Sequence, residues 1–288
     1  MPVLDRLYRF AAFFFILPAF AQAEAFTGLT YGSGPDGYRS YSFTGDVGLS
    51  KTVSLSLDYF VSKANGAEDA RARGARLSWD ATELISFNYR RSASNDENSK
   101  GEGNEGGLSL ALDTLWQSEL RTTLDIGYAE FKFDMRKLFP NLPNPTLTQN
   151  INRYGLSQDI GSSFTLYGSH DQYKYDRNVS QFPIPVRRRP LLINKALTLA
   201  AFPDKTNTVG ITWKATDALN LDLSYDKTTT KRAQELRNTR LGADYQISDK
   251  VNIAVAVIRS TSSAMVTGPT VLQATRDTYS EVTAGWAF

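Results

Sequence analysis

The chain contains one histidine and no cysteine, so any imidazole chemistry has a single place to occur. His170 stands in Tyr167-Gly-Ser-His-Asp-Gln-Tyr173, flanked by Ser169 and Asp171. These three residue types form a hydrolytic triad when they converge: a serine nucleophile, a histidine base and an aspartate that orients it. In an extended segment, however, successive side chains point to opposite faces. Ser169 and Asp171 therefore turn away from His170, and a nucleophile would have to come from another strand. One imidazole also falls short of the two or three that a histidine metal centre uses. Without thiols there is no thiolate metal site, iron–sulfur cluster or disulfide. The residues predict no metal and no cofactor.

Charge placed at every second position is a more extensive feature. Asp58 lies among Ser54, Ser56 and Ser62, alternating with Val53, Leu55, Leu57, Tyr59 and Val61. Asn220, Asp222, Ser224 and Asp226 alternate with Leu219, Leu221, Leu223 and Tyr225. Glu119, Arg121, Thr123 and Asp125 oppose Leu120, Leu124, Ile126 and Tyr128. A period of two with unlike faces is the mark of β-strands.

Four stretches repeat one plan, an apolar strand end, a tight polar turn and a new alternating strand: 49–59, 77–89, 211–225 and 245–257. Turns near 51, 81, 116, 159, 217 and 249 give a hairpin repeat of about 30 residues. The other connections are longer and rich in Gly, Asn, Pro and charge, among them 93–104, 135–150, 178–205 and 263–275. The expected strands are 26–34, 38–50, 53–65, 70–79, 84–92, 105–113, 118–134, 151–158, 162–177, 206–215, 219–230, 234–247, 251–262 and 276–288. The fold class is all-β, an up-and-down antiparallel barrel of 14 strands, with 12 as the alternative because 26–34 and 151–158 are weak.

The N-terminus reads differently. Arg6 and Arg9 precede an apolar run over 10–20, and Ala21-Gln22-Ala23 fits a small-residue cleavage site. This is the pattern of a secretory signal peptide, so the expected division is 1–23 as signal peptide, cleaved near Ala23, and 24–288 as the barrel. Lys+Arg 32 against Asp+Glu 30 leaves a net charge of +2, which supplies no field for nucleic acid. A mean hydropathy of −0.33 excludes a bundle of membrane helices but not a membrane barrel, whose inner face is polar.

Alternation alone also fits a soluble sandwich, with the apolar face turned inward. Aromatics at strand ends (Trp79, Phe87, Tyr89, Trp116, Trp213, Tyr225, Tyr245 and Trp286) suit the interfacial girdles of a membrane barrel. The chain ends Glu281-Val-Thr-Ala-Gly-Trp-Ala-Phe288, with Val282, Ala284, Trp286 and Phe288 on one face. This end resembles the C-terminal strand of Gram-negative outer-membrane β-barrel proteins, although Thr283 stands where many of them carry Gly. The resemblance implies a porin-like barrel in the outer membrane. It also implies an assembly signal at Trp286 and Phe288, read by the barrel-assembly machinery.

With the polar face inward, the predicted pore-lining residues are Asp58, Arg76, Arg90, Arg121, Asp125, Arg153, Lys214, Asp222, Arg240 and Asp244. Asp46, Asp113, Glu119, Asp226 and Glu281 join them, and glycines 48, 74, 127, 155, 210, 242 and 285 would keep a path open or relieve curvature. The longest connection carries Arg187, Arg188 and Arg189 between prolines. These arginines either constrict the pore and attract anions or meet lipopolysaccharide phosphate. Arg71, Arg73, Arg91, Arg237, Arg259 and Arg276 at the long-loop end likewise suit an outer leaflet rich in phosphate.

Barrel phospholipases and lipid-A deacylases pair a His with a nearby Ser, and omptin-type proteases use an Asp–His pair. Here Gln172 replaces the Ser two positions after His170, and the neighbouring Asp171 is on the wrong face. The expected function is a passive channel for small hydrophilic solutes, not an enzyme. A structural or export-partner barrel without an open pore is the alternative, and a hydrolase using His170 is a more distant one. Oligomeric state is not encoded in any of these features.

Overall fold

A computed structural model describes residues 25–66, 69–97, 99–116, 120–136, 145–179, 202–267, 270–272 and 274–288. The proposed cleavage site lies outside them, as do Glu119 and Arg187, Arg188 and Arg189. The strands are β1 (Ala25–Ser33), β2 (Arg39–Gly48), β3 (Val53–Lys63), β4 (Ala70–Asp80), β5 (Ile85–Asn95), β6 (Ser99–Ala111) and β7 (Thr122–Met135). They continue as β8 (Thr146–Ile160), β9 (Phe164–Tyr175), β10 (Pro203–Lys214), β11 (Leu219–Thr230), β12 (Glu235–Ser248) and β13 (Val251–Ser262). A small hairpin, β14 (Met265–Thr267) and β15 (Thr270–Leu272), precedes the final strand β16 (Thr275–Ala287). Neighbours in sequence pair antiparallel, and β16 pairs with both β13 and β1, closing a barrel of 14 strands. At that seam Thr30 lies opposite Thr283 with their hydroxyls 2.8 Å apart, and the Phe288 N–H donates to the Ala25 carbonyl at 2.8 Å.

One end of the barrel is made of tight turns with a recurring device. The Ser50, Thr82 and Thr216 hydroxyls accept from the N–H groups of Val53, Ile85 and Leu219 at 3.1, 3.0 and 3.0 Å. A side chain thus replaces the missing backbone partner at the bend. One connection at this end departs from the plan: α1 (Leu112–Trp116) replaces the turn expected near 116. At the other end the connections expected over 93–104 and 135–150 are shorter than predicted, because β6 starts at Ser99 and β8 at Thr146. The glycines of 101–107 belong to a strand whose inner face makes room for neighbouring rings: a Cβ at Gly101 or Gly103 would lie 2.7 or 2.2 Å from the ring of Phe133 or Phe131.

The outer face near the short turns is apolar. Leu77, Leu156, Leu241, Val255 and Val282 are all exposed, and a band of this kind is the surface a bilayer covers. Trp79 stacks on Phe87 and Phe164 on Trp213, at 5.7 and 6.0 Å, near the turn end. Tyrosines mark the upper border: Tyr89 and Tyr128 donate to Asn104 and Asn150 at 2.7 Å each. The barrel is therefore a transmembrane one.

Above the tyrosines, the two faces exchange character. Along β7, Leu124, Ile126 and Tyr128 point outward but so do Glu130, Lys132 and Asp134, while Asp125 and Gly127 point inward with Ala129, Phe131, Phe133 and Met135. The same exchange occurs on β8 at Arg153/Ile151, on β9 at Asp171/Tyr173, on β3 at Asp58/Phe60 and on β16 at Glu281/Tyr279. Beyond the bilayer the outer wall meets water, so the strand extensions adopt the polarity of a soluble barrel with an apolar interior.

Candidate functional site

Five charged side chains from five strands join across the inner wall, on the turn side of this exchange. Arg90 Nη2 lies 3.0 Å from both Asp58 carboxylate oxygens, and its Nη1 lies 3.2 Å from Glu105 Oε1. Arg153 Nη1 holds the other Glu105 oxygen, and its Nε is 3.9 Å from Asp171 Oδ2. The Tyr173 hydroxyl donates to Asp171 from above at 3.5 Å. Glu105 and Asp171 are 9% and 2% exposed, so they need these partners: an unpaired charge at that burial costs several kcal/mol.

Arg90 reaches Asp58 across β4. The crossing is possible only because Gly74 occupies the intervening position, where a Cβ would lie 2.6 Å from Asp58 Oδ1 and 2.8 Å from Arg90 Nε. Gly210 does the same for Tyr167, whose hydroxyl crosses β10 and donates to Asp222 at 2.9 Å. At these two glycines the inner face is covered by a neighbour's side chain lying flat, which corrects the expectation that they keep the path clear.

The adjoining wall, β10 to β13, has its own group. Arg240 Nη1 pairs with Asp222 at 3.1 Å, Asn252 donates to Asp244 at 3.1 Å, and Thr208 donates to Asp226 at 2.6 Å. Arg76, Asp46 and Glu281 face inward with no ion pair among the described residues. Asp125 accepts from Ser109. Lys214 lies at the turn end, 2.8 Å from Asp217, and its hydrogen bond holds that carboxyl below the usual carboxylate range.

Asp58, Arg76, Arg90, Asp125, Arg153, Lys214, Asp222, Arg240 and Asp244 thus share the inner face, as their spacing predicts. Arg121 does not sit in the wall. It precedes β7, its carbonyl accepting from the Asp159 N–H, because that strand starts at Thr122 rather than at the predicted residue 118. Asp113 likewise leaves the wall and accepts from the Thr122 N–H at 3.3 Å. Glu105 and Asp171, which complete the charged chain, are not among the pore-lining residues predicted from the sequence. The sequence places Glu105 at the start of a strand after a glycine-rich connection, yet Gly101, Gly103, Glu105 and Gly107 already alternate with Lys100, Glu102 and Asn104. Asp171 adjoins His170 in sequence, where it reads as a triad candidate rather than as part of the wall.

His170 faces outward beside Tyr154, with Nδ1 2.8 Å from Asn207 Oδ1. Ser169, Asp171, Tyr173 and Tyr175 are on the inner face, and the wall separates them from His170.

Toward the long-connection end the inner face is sealed by apolar side chains. Phe131, Phe133, Met135, Leu147, Ile151 and Tyr173 form one buried cluster, and Tyr38, Ile258 and Tyr279 form another on the far wall. Val179 and Phe202, the described ends of the longest connection, belong to the first cluster. Phe202 adopts φ 46°, rare for a bulky residue, and is held by the Tyr175 ring at 6.0 Å and by the Lys231 N–H on its carbonyl at 2.8 Å.

The sequence matches no protein-family model and no curated protein. The fold is similar to that of solved outer-membrane barrels. A Pseudomonas aeruginosa FadL homologue shares 11% identity at a TM-score of 0.54, covering 92% of this chain and 90% of that one. A bacterial polysaccharide outer membrane secretin shares 10% identity at a TM-score of 0.52, covering 92% and 98%. The KdgM porin aligns over 91% and 99% at 7% identity and a TM-score of 0.44. At such identities the likeness concerns the barrel fold.

Proposed function

We propose that the protein is an outer-membrane channel for small hydrophilic solutes, with the short turns and both termini on the periplasmic side. The observation that carries this reading is the double reversal of polarity. A charged inner wall lies behind the apolar outer band, and charge on that scale is stable there only if water reaches the lumen. The outer membrane secretin among the structural neighbours agrees with that location. The outward arginines above the tyrosines, Arg73, Arg259 and Arg276 among them, are placed to meet lipopolysaccharide phosphate.

Inward acids outnumber inward bases, and Asp46 and Glu281 are not ion-paired among the described residues, so the channel prefers cations. Charges act over about 8 Å at physiological salt, which makes the local wall decisive. Reversal potentials under a KCl gradient test this. The parent should be cation-preferring, Asp46→Asn with Glu281→Gln should lower the preference, and Arg76→Ala should raise it. An anion-preferring parent defeats the assignment of the wall as the selective section.

The apolar clusters favour a second reading, a barrel that does not conduct in its resting form. Phe131→Ala with Phe133→Ala should then raise the frequency or size of conductance steps. A parent and a variant that are both silent support a scaffold. Lipid or peptide hydrolysis lost in His170→Ala would instead support an enzyme, which the outward imidazole argues against.

A further inference from the structure

We propose that a recess in the inner wall binds one small neutral polyhydroxylated solute, of the size of a monosaccharide or polyol. The proposal rests on the channel reading, since it places a solute site inside the lumen, and it names the solute class that site selects.

The recess holds about 350 Å3, at the low end of small-molecule pockets, and lies on β4 to β9 immediately to the turn side of the charged chain. It exists because Gly107, Gly127 and Gly155 put no side chain on the inner face of three adjoining strands. The Asn88 amide lies flat over Gly107, where a Cβ would be 2.6 Å from its nitrogen. Ser157 and Ser169 face the recess from β8 and β9, and Arg76 closes its edge from β4.

These four side chains differ from the charged groups around the recess in what they have left to offer. Arg90, Glu105, Arg153 and Asp171 are committed to one another, and Asp125 already accepts from Ser109. Asn88, Ser157, Ser169 and Arg76 have no side-chain hydrogen bond among the described residues. They combine donors with acceptors: an amide with both, two hydroxyls with both, and a guanidinium fork. Vicinal hydroxyls, each both donor and acceptor, match that mixture.

Charge discriminates against the alternatives. A bare anion in the recess would face Asp125 and Glu105, and a bare cation would face Arg76 and Arg90. A neutral solute incurs neither repulsion. The net preference of the whole pore for cations and a neutral site within it are compatible, because screening confines each charge to its surroundings.

Saturation-transfer NMR on the full barrel refolded in deuterated micelles, with D-glucose as the probe, tests the site whether or not the pore conducts. We expect transfer to glucose with the parent, and binding about fivefold weaker in Asn88→Ala, the loss expected for one hydrogen bond. Ser169→Leu, which fills the recess, should abolish it, and Lys250→Ala in a distant turn should leave it unchanged. Heat-modifiable migration on gels verifies that each variant is folded; if Ser169→Leu is not, Asn88→Ala decides. Absence of transfer with the parent overturns the proposal, as does equal transfer in the parent and Asn88→Ala. Stronger transfer to gluconate or to glucosamine than to glucose also overturns it. A barrel that binds glucose but passes no current keeps the site and refutes the channel, whereas one that conducts without binding does the reverse.

Discussion

Arg90 on β5 and Asp58 on β3 are separated by an entire strand, yet the guanidinium lies 3.0 Å from both carboxylate oxygens. Their contact depends on a third position having nothing to contribute. Gly74 leaves the slot through which Arg90 passes, so the tolerance of residue 74 measures the worth of the ion pair.

Gly74→Ala should therefore destabilise the barrel by about 1–3 kcal/mol, the scale of a charged hydrogen bond lost with its partners left in place. Urea unfolding in micelles measures it. In a double-mutant cycle, Asp58→Ala should cost much less in the Gly74→Ala background than alone. Additive costs would mean that Gly74 acts independently of the pair.

The apolar cluster beyond the bilayer should behave as a protein core. Phe133 is 1% exposed and covers Gly101, so Phe133→Ala should lower stability by about 3–5 kcal/mol. Phe87→Ala, on the exposed outer face, should cost less in the same assay.

Among the described residues Asp36, Phe202 and Ala233 have left-handed backbone without being glycine, and substitution of the last two should have opposite effects. Ala233, φ 59°, sits in the turn where its N–H donates to the Thr230 carbonyl at 3.0 Å, so Ala233→Gly should stabilise by about 1 kcal/mol. Phe202→Gly relieves the same kind of strain but removes a ring buried against Tyr175. It should destabilise overall, and faster proteolysis at the long connection would register that change.

Tyr38 lies outside the membrane band, edge-on to Tyr279 at 5.5 Å and 90°. Burial raises its phenol from 10.0 to about 12, with the Glu281 charge adding to the effect and a hydrogen bond with Ser40 opposing it. Because the folded value exceeds the unfolded one, the stability tied to this group is complete below pH 10 and is lost as pH rises towards about 12. Tyrosinate absorbance near pH 11 should show Tyr38 still protonated, as the difference between the parent and Tyr38→Phe.

The alternation of Leu219 to Asp226 by itself requires a strand with unlike faces, and repetition of that pattern with short turns at one end and long connections at the other points to antiparallel strands in sequence order. Its ending, Trp286 and Phe288 on one apolar face, was equally legible, because a period of two is a local property of the backbone. Direction was not local. Glu130-Phe131-Lys132-Phe133-Asp134 alternates as well as any membrane segment, but whether its rings face lipid or lumen depends on where the bilayer ends, and that follows from the whole ring of strands. Nor could spacing pair Arg90 with Asp58 or Arg153 with Glu105, which are 32 and 48 residues apart. Strand order and register bring these charges together, and a glycine on the intervening strand lets Arg90 reach Asp58.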